Sequence, residues 1–406
     1  MRKLGDHNAL CPLPSEVFSV LQLHAINEPL FPNLKTLDLR LSRESIPFVP
    51  LFLSHETTTI RITSFGNLHQ TTVASMITSF STLCPNLQEV SFYPLPRDPM
   101  VIAAVSKILL ASSRTLRCFS VDSPLTEEAR QVVCRLPNLR DLWMVIEKDT
   151  QLPLVTLPNL TDLTIKYDHD SDWLRVFYGA TFGKLAAVTF YCESEQIGGF
   201  LEAFRRVTLE RSARNTLSTF RLYTSCSWNP NYFSLLQFTQ LTILVIQSSC
   251  RGGCSSTVDD DVVTNLAQAM PRLRTLELGD PPCREIRTGV TVKGLVALVN
   301  HCPNLCNLRV HFHVASLHIP LEASGMASGT VPTVLWRGCA LTNLKVGEIP
   351  IPEETMSTVA LTLSIIFPNI KEIDCVDDNW EEIVDAICIT REIIDSQSKD
   401  RPLSTP

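Results

Sequence analysis

The phrase CPNLCNLRV at residues 302–310 decides the fold of this chain, because it recurs in varied form along the sequence. Six other close copies keep a Pro, a polar residue, Leu or Ile, two residues and an alternating apolar end: FPNLKTLDL (31–39), CPNLQEVSF (84–92), LPNLRDLWM (136–144), LPNLTDLTI (157–165), MPRLRTLEL (270–278) and FPNIKEIDC (367–375). Looser copies occupy the intervals between them: TTTIRI (57–62), TLRCFSV (115–121), KLAAVTF (184–190), TLSTFRL (216–222), QLTILVI (240–246) and ALTNLKV (340–346). The thirteen copies run from Leu34 to Ile370, and 336 residues divided by twelve intervals give a mean repeat of 28 residues.

A repeat of this length built on L-x-x-L-x-L predicts a leucine-rich repeat. In residues 291–310, apolar residues at helical spacing precede Pro303, which ends the helix, and Leu305, Leu308 and Val310 then alternate as in a strand. The same order predicts helices at 70–82, 98–111, 125–135, 195–211, 258–269 and 353–366. The predicted fold is therefore an α/β leucine-rich-repeat solenoid of about 13 irregular repeats. It is a horseshoe similar to the ribonuclease-inhibitor-like class, with a curved parallel sheet inside and helices outside.

The two ends of the solenoid are predicted to carry caps. Residues 31–376 hold the repeats, and an amphipathic stretch within residues 1–30 predicts an N-terminal capping helix. Residues 377–395 predict a C-terminal capping helix, and residues 396–406 predict a disordered tail. The apolar stripe of the C-terminal helix consists of Trp380, Ile383, Val384, Ile387 and Ile394.

The charge distribution argues against a nucleic-acid-binding protein. The net charge is −7, and residues 371–400 hold ten acidic and three basic residues, so the rest of the chain is neutral overall. We find no basic stripe, and the longest uncharged apolar stretch, from Thr355 to Ile370, is too short to cross a membrane. The 14 scattered cysteines, without a signal peptide, predict reduced thiols in a cytoplasmic or nuclear protein.

Residues that could carry catalysis or hold a metal have simpler structural interpretations. Two Cys-x-x-x-Cys pairs, Cys250/Cys254 and Cys302/Cys306, belong to different repeats, and Cys302 precedes Pro303 as a packing residue. Three consecutive acids at residues 259–261 open a predicted helix, where negative charge is favourable. The sequence contains no nucleophile-elbow, zinc-protease, P-loop or dinucleotide-binding motif. We therefore expect no metal, no cofactor and no enzymatic activity.

Strand alternation predicts which side chains a partner would meet on the inner face of the sheet. The residues between the last two core positions of each unit are Asp38, Arg61, Ser91, Ser120, Trp143, Thr164, Thr189, Arg221, Val245, Glu277, Arg309, Lys345 and Asp374. One step further along lie Tyr93, Asp122, Lys166, Tyr191, Tyr223 and His311. Binding hot spots favour Trp, Tyr and Arg, so the predicted protein-binding residues are Trp143, Tyr191, Arg221, Tyr223, Tyr93 and Arg309. The alternative is that they are ordinary strand residues, since strands favour aromatic side chains.

The repeats resemble those of one known family. The unit GLVALVNHCPNLCNLRV (294–310) is similar to the cysteine-containing repeats of F-box/leucine-rich-repeat proteins. The ordered set CPNLQEVSF, TLRCFSVD, LPNLRDLWM and LPNLTDLTI resembles the large F-box/leucine-rich-repeat families of basidiomycete fungi over roughly residues 17–376. This resemblance implies a substrate receptor of an SCF-type ubiquitin ligase, in which the F-box binds the cullin adaptor and the repeats bind the target protein.

The N-terminal region departs from that family. LPSEVFSVLQL (13–23) resembles the opening of an F-box, but Pro32 already begins the first repeat, so the remaining F-box helices have no room. Residues 1–30 are therefore either a capping helix or an F-box remnant. The predicted function is recognition of a target protein, with a possible cullin-adaptor partner and chemistry done by other subunits. The alternatives are a free-standing repeat scaffold and, third, an enzyme, which would need a deep polar pocket.

Overall fold

The computed structural model describes residues 3–5, 20, 29–40, 46–63, 69–147, 155–167, 180–192, 201, 204, 215–224, 232–248, 258–279, 290–310, 312, 339–347, 351–375 and 379–399. In these ranges the chain is an α/β structure in which parallel strands alternate with helices and extended connections. The chain divides into two compact units. The first consists of Met1–Tyr191 with Val207–Ala213, and the second consists of Cys192–Arg206 with Arg214–Pro406.

The first unit is built on a parallel sheet that follows chain order. Its strands are β1 (Lys3–Gly5), β2 (Thr36–Arg40), β3 (Thr59–Thr63), β4 (Glu89–Tyr93), β5 (Cys118–Val121), β6 (Asp141–Ile146), β7 (Thr156–Leu157), β8 (Asp162–Tyr167), β9 (Thr181–Phe182) and β10 (Ala187–Cys192). The strands pair in the order β1-β2-β3-β4-β5-β6-β8-β10, while β7 and β9 pair with each other in a separate small sheet. The helices are α1 (Gln70–Leu83), α2 (Pro99–Ala111) and α3 (Glu127–Val133), with a 3-10 helix at Ile46–Phe52.

The second unit continues the same alternation. Its strands are β11 (Thr219–Thr224), β12 (Ile243–Ser248), β13 (Thr275–Leu278), β14 (Asn307–Arg309), β15 (Asn343–Gly347) and β16 (Glu372–Cys375). They pair in parallel in chain order. The helices are α4 (Asp260–Ala269), α5 (Val292–His301), α6 (Met356–Ile366) and α7 (Asn379–Lys399), with 3-10 helices at Tyr232–Leu235 and Glu353–Thr355.

Each of the thirteen sequence copies forms one strand of these sheets, and its apolar positions form the core. In the copy that contains β14, Leu305 and Leu308 are 0% exposed and Val310 is 1% exposed. Burial of one such side chain contributes about 1.5–3 kcal/mol before entropic costs. The L-x-x-L-x-L pattern thus supplies three buried side chains in most repeats, although Leu39 in the first copy and Cys375 in the last are only half-buried. Within each unit the regular spacing extends the core from one repeat to the next.

The observed helices differ from the predicted ones mainly at their ends. The helix predicted at 125–135 is shorter, because Thr126 is its N-cap and accepts a hydrogen bond from the backbone N–H of Ala129 (3.4 Å). The predicted helix at 353–366 begins as a 3-10 turn and becomes an α-helix at Met356. Of the predicted helix at 195–211 the structure describes only Leu201 and Phe204, and the rest lies outside the described residues.

The N-terminal stretch predicted as a helix lies almost entirely outside the described residues. Within residues 14–26 the structure describes only Val20, which is helical and exposed. A short strand that the sequence did not predict, β1, precedes this stretch and pairs in parallel with β2, with Lys3 opposite Thr36. The segment that resembles an F-box opening therefore connects two adjacent strands of the first unit's sheet.

The C-terminal helix α7 covers the end of the second unit's core. Trp380 is 0% exposed, Ile383 and Ile387 are both 1% exposed, and α7 packs against α6 and β16. The helix continues through Lys399, so residues 396–399 are helical although the sequence predicted a disordered tail from residue 396. Gln and Lys are good helix formers, and the first proline after the apolar stripe is Pro402. Residues 400–406 lie outside the described residues.

Candidate protein-binding surface

Three aromatic side chains meet on the sheet face of the first unit. The Trp143 ring, on β6, lies 5.5 Å from the Tyr93 ring at the end of β4 and 6.2 Å from the Tyr191 ring on β10, measured between centroids. The planes of Trp143 and Tyr191 are inclined by only 16°, so these two rings stack. We call Tyr93, Trp143 and Tyr191 the aromatic row.

The strand register explains why these rings can meet across five strands. Trp143 pairs with Ser120 on one side and with Thr164 on the other, and both neighbours have small side chains. The indole therefore has room to spread sideways, and the two tyrosines reach it from two strands away in each direction. The result is a rigid apolar surface that faces away from the core.

The centre of the aromatic row carries a polar group without a partner. The indole nitrogen Nε1 of Trp143 is buried, and none of the described residues offers it a hydrogen-bond acceptor. A buried donor left unpaired costs about 1–3 kcal/mol. Tyr93, at one end of the row, is 50% exposed and accessible to a partner. The row thus offers an accessible aromatic side chain at Tyr93 and contains a buried unpaired donor at Trp143.

The half-buried carboxyl group of Asp122 lies at the end of β5, the strand between β4 and β6. Asp122 follows β5 directly, and its Oδ1 accepts a hydrogen bond from the backbone N–H of Leu95 (2.8 Å). Burial raises the pKa of Asp122, against the opposing effects of the Leu95 N–H and of the positive charges of Lys166 and Arg97. The side chain is held by the fold, so it gives this part of the surface a fixed position for a polar group.

The other predicted binding residues lie in the second unit. Arg221 and Tyr223 are on β11, where Arg221 pairs with Val245 and Tyr223 pairs with Gln247. Arg309 is on β14, and its Nη1 lies 3.9 Å from Oε2 of Glu277, with both side chains less than one-fifth exposed. The structure therefore brings three of the six predicted residues into contact within the first unit. Arg309 is already engaged with an acidic neighbour.

Sequence reasoning missed a line of polar side chains, Glu89, Cys118 and Asp141, at the beginning of their strands. Arg61 donates through Nε to Oε1 of Glu89 across 2.5 Å, and this hydrogen bond raises the pKa of Arg61. Cys118 donates through its thiol to Oδ2 of Asp141 (2.9 Å). Burial, followed by the Asp141 hydrogen bond, raises the pKa of the Cys118 thiol to about 12. Alignment of the thirteen copies could have found this line, because Glu89, Cys118 and Asp141 share one position of the repeat.

The residues considered for metal or catalytic chemistry have structural roles where they are described. Cys302 is 0% exposed, and its Sγ lies 3.5 Å from the carbonyl oxygen of Met270. The Asp260 carboxylate accepts hydrogen bonds from the backbone N–H groups of Thr291 (2.8 Å) and Gly294 (3.0 Å), and so joins α4 to α5. Cys250 and Cys254 lie outside the described residues. Within the described ranges no group of three or more His, Cys, Asp or Glu side chains is arranged to hold a metal ion.

Comparisons with known proteins give little further information. No protein-family model matches the chain, and no curated protein matches its sequence. A chain in the crystal structure of the Rad7 and Elc1 complex in yeast is similar in structure, with a TM-score of 0.37 and 16% sequence identity over 68% of this chain and 77% of that chain. This similarity is too weak to assign a function. Among the described helices, none is long and apolar enough to span a membrane.

Proposed function

We propose that this protein is a leucine-rich-repeat protein that recognises a partner protein through the sheet face of its first unit. The observation that carries the proposal is the aromatic row, in which Trp143 contacts Tyr93 and Tyr191. Trp and Tyr dominate the energetics of protein interfaces because their rigid rings bury a large area at a small entropic cost. Tyr93, which is 50% exposed, makes one end of the row accessible to a partner.

In this proposal the chain itself performs no chemistry. Its partner is held in place by the repeats, and any reaction on that partner is carried out by other proteins whose local concentration rises on binding. The repeat resemblance extends the proposal to an SCF-type ubiquitin-ligase receptor, in which residues 13–23 contact the cullin adaptor. The second candidate function is a free-standing repeat scaffold. It is favoured by β1, because the F-box-like segment then occupies the connection between two adjacent strands, as α1 does between β3 and β4.

The recognition proposal is tested by affinity capture from the protein's own cells with quantitative mass spectrometry. The tagged wild-type chain is compared with Trp143→Ala and with Phe233→Ala, which removes a 56% exposed aromatic ring from the 3-10 helix at Tyr232–Leu235. We expect at least one protein to be lost with Trp143→Ala and retained with Phe233→Ala. Its affinity for the purified Trp143→Ala chain should fall by about 2 kcal/mol or more, as for an interface hot spot. The proposal fails if every captured protein is retained by Trp143→Ala.

The ligase connection needs a separate test. Leu13→Glu together with Val17→Glu alters the F-box-like segment and leaves the residues of β1 unchanged. If the chain is a ligase receptor, the cullin and its adaptor are captured by the wild type and lost with this double variant, while the Trp143-dependent partner is retained. If the wild type captures the Trp143-dependent partner but captures neither the cullin nor its adaptor, the free-standing scaffold is the function.

A further inference from the structure

A cleft of about 350 Å³ lies at the edge of the first unit's sheet, where the chain enters β5, β6, β8 and β10. The residues lining it are Arg117, Asn138, Arg140, Asn159, Thr161 and Lys184. Three of these carry a positive charge and the other three are polar. We call it the basic cleft. It shares no residue with the aromatic row.

The repeat geometry brings the charged side chains of the basic cleft together. The backbone N–H of Arg140 donates to the carbonyl oxygen of Arg117 (2.7 Å), and the N–H of Thr161 donates to that of Arg140 (2.8 Å). Arg117, Arg140 and Thr161 therefore follow one another across the sheet at the usual spacing between neighbouring strands, ~4.8 Å. The two arginines occupy the same position in neighbouring repeats, so their guanidinium groups project from adjacent strands at the same edge.

The third cation is fixed by a close approach of two repeats. Lys184 donates through Nζ to Oδ1 of Asn159 across 3.0 Å. The preceding residue, Gly183, lies so near the neighbouring repeat that a Cβ atom there would be 2.5 Å from the carbonyl oxygen of Pro158. Only glycine allows this approach without displacement of the backbone. The ammonium group of Lys184 is thereby held beside the amide groups of the cleft.

Within the part of the chain that the structure describes, the cations of the basic cleft have no acidic partner. Among the described residues, no carboxylate forms an ion pair with Arg117, Arg140 or Lys184. The nearest acids along the chain, Asp141 and Asp162, begin β6 and β8. Asp141 accepts the Cys118 thiol hydrogen bond, and Asp162 lies opposite Asp141 on the neighbouring strand. Two adjacent guanidinium groups without a counter-ion repel each other, and a bound anion relieves this repulsion.

We propose that the basic cleft binds a phosphomonoester group. A phosphomonoester presents three strong acceptor oxygens and close to two negative charges, which matches two guanidinium forks and one ammonium group. A carboxylate has only two oxygen atoms and would accept hydrogen bonds from only one of the two guanidinium groups. The group belongs either to a phosphorylated side chain of a protein or to a free phosphorylated small molecule, and the chemistry of recognition is the same for both.

The experiment uses the purified full-length chain and two kinds of probe. Isothermal titration measures binding of phenyl phosphate and of inorganic phosphate. Fluorescence anisotropy measures binding of a degenerate peptide pool centred on phosphoserine, with the unphosphorylated pool as reference. The variants Arg117→Gln and Arg140→Gln each remove one guanidinium group. Arg135→Gln is the matched control, because Arg135 is an exposed arginine of the same unit outside the cleft. Thermal unfolding checks that all variants are folded.

We expect phosphomonoester binding to weaken about tenfold or more in Arg117→Gln and in Arg140→Gln, and to be unchanged in Arg135→Gln. Tighter binding of the phosphoserine pool than of phenyl phosphate assigns the group to a protein. Equal binding assigns it to a free small molecule. The proposal is overturned if the wild type binds no phosphomonoester, if Arg135→Gln weakens binding as much as Arg140→Gln, or if a single-stranded oligonucleotide binds more tightly than the monoesters.

The inference stands independently of the proposed protein-recognition function. Trp143→Ala is expected to leave the affinity for phenyl phosphate unchanged, because the aromatic row and the basic cleft have no residue in common. If the wild type captures no partner protein, the proposal of a phosphate site is therefore unaffected. Conversely, failure of phosphate binding leaves the aromatic row as a candidate surface for a partner protein.

Discussion

Asn159 donates a hydrogen bond from its side-chain amide to the backbone carbonyl oxygen of Pro137 across 2.8 Å, and this bond joins two successive repeats. Asn138 makes the equivalent bond to Arg114 (2.9 Å), and Asn369 makes it to Cys339 (2.7 Å). Each of these asparagines belongs to the Pro-Asn-Leu or Pro-Asn-Ile part of the repeated phrase. In these three copies the phrase therefore links the repeat to the preceding one in addition to beginning a strand.

The first prediction concerns these asparagine bonds. Asn138→Ala should lower the free energy of unfolding by about 0.5–1.5 kcal/mol, because it removes one hydrogen bond between repeats. Asn159→Ala should lower it by at least as much, because it also removes the exposed bond from Lys184. Urea unfolding followed by circular dichroism measures the change. Asn33→Ala is the matched control, since Asn33 holds the same position in the first copy and has no described side-chain hydrogen bond. An equal loss in Asn33→Ala would show that the bonds themselves contribute nothing.

The second prediction concerns the C-terminal cap. The ring of Trp380 contacts Phe312 edge-on, with 6.1 Å between centroids, and it is completely buried. Trp380→Ala should destabilise the second unit by about 3–5 kcal/mol, since it leaves a large cavity under α7. Ile389→Ala on the same helix removes a side chain that is 58% exposed and should change stability by less than about 0.5 kcal/mol. Comparable thermal unfolding curves for the two variants would contradict the capping role.

The third prediction concerns thiol reactivity. Burial raises the pKa of the thiols of Cys84, Cys134 and Cys302 to about 12, whereas Cys388 is exposed on α7. The thiolate is the reactive form, so iodoacetamide at mildly alkaline pH should modify Cys388 and spare the three buried thiols. Peptide mass spectrometry measures the rates, and modification in urea provides the fully reactive reference. Modification of Cys302 at the rate of Cys388 would show that the helix end beside it opens in the native protein.

The fourth prediction concerns the dependence of stability on pH. The pKa of Asp122 in the folded protein lies above its unfolded value of about 3.9, because the side chain is half buried. The folded protein therefore binds this proton more tightly, and the Asp122 contribution to stability decreases as the pH rises from the unfolded pKa through the folded pKa. Asp122→Asn cannot ionise and keeps an oxygen acceptor for the N–H of Leu95.

We accordingly expect Asp122→Asn to unfold at higher urea concentration than the wild type at neutral pH. The two proteins should have equal stability below the unfolded-state pKa, where both side chains are neutral. Urea titrations across the acidic range measure the difference. A variant that is less stable than the wild type at neutral pH would mean that the carboxylate charge is stabilised by Lys166 and Arg97 more than it is penalised by burial.

Much of the fold could be predicted because two features of the repeat indicate it. They are the spacing of the copies along the chain and the alternation of apolar and polar residues within each copy. The copy MPRLRTLEL predicts a strand with Leu276 and Leu278 inside and Glu277 outside, and β13 has this arrangement. Helix ends were less predictable because they depend on single contacts, such as the Thr126 cap of α3. An apolar pattern extends across such a residue and does not show where the backbone changes conformation.

The candidate surfaces could be predicted only in part. Alternation alone indicated that Trp143 faces outward, but its contact with Tyr93 depends on which strand lies between them and on the small size of Ser120. The basic cleft depends on Gly183, since the close approach at this residue positions Lys184 beside Asn159. Such contacts between repeats depend on three-dimensional spacing, and a single sequence does not contain this information directly.

Strand pairing between chain neighbours also has an evolutionary consequence. Leu276, Leu308 and Leu344 hold the same position on three consecutive strands, and each pairs only with its counterparts in the adjacent repeats. A gene duplication or deletion that adds or removes one whole repeat therefore leaves every other strand in register. The surface presented to partners can grow or shrink in steps of one strand. New binding specificity can arise in this way without a change in how the rest of the chain folds.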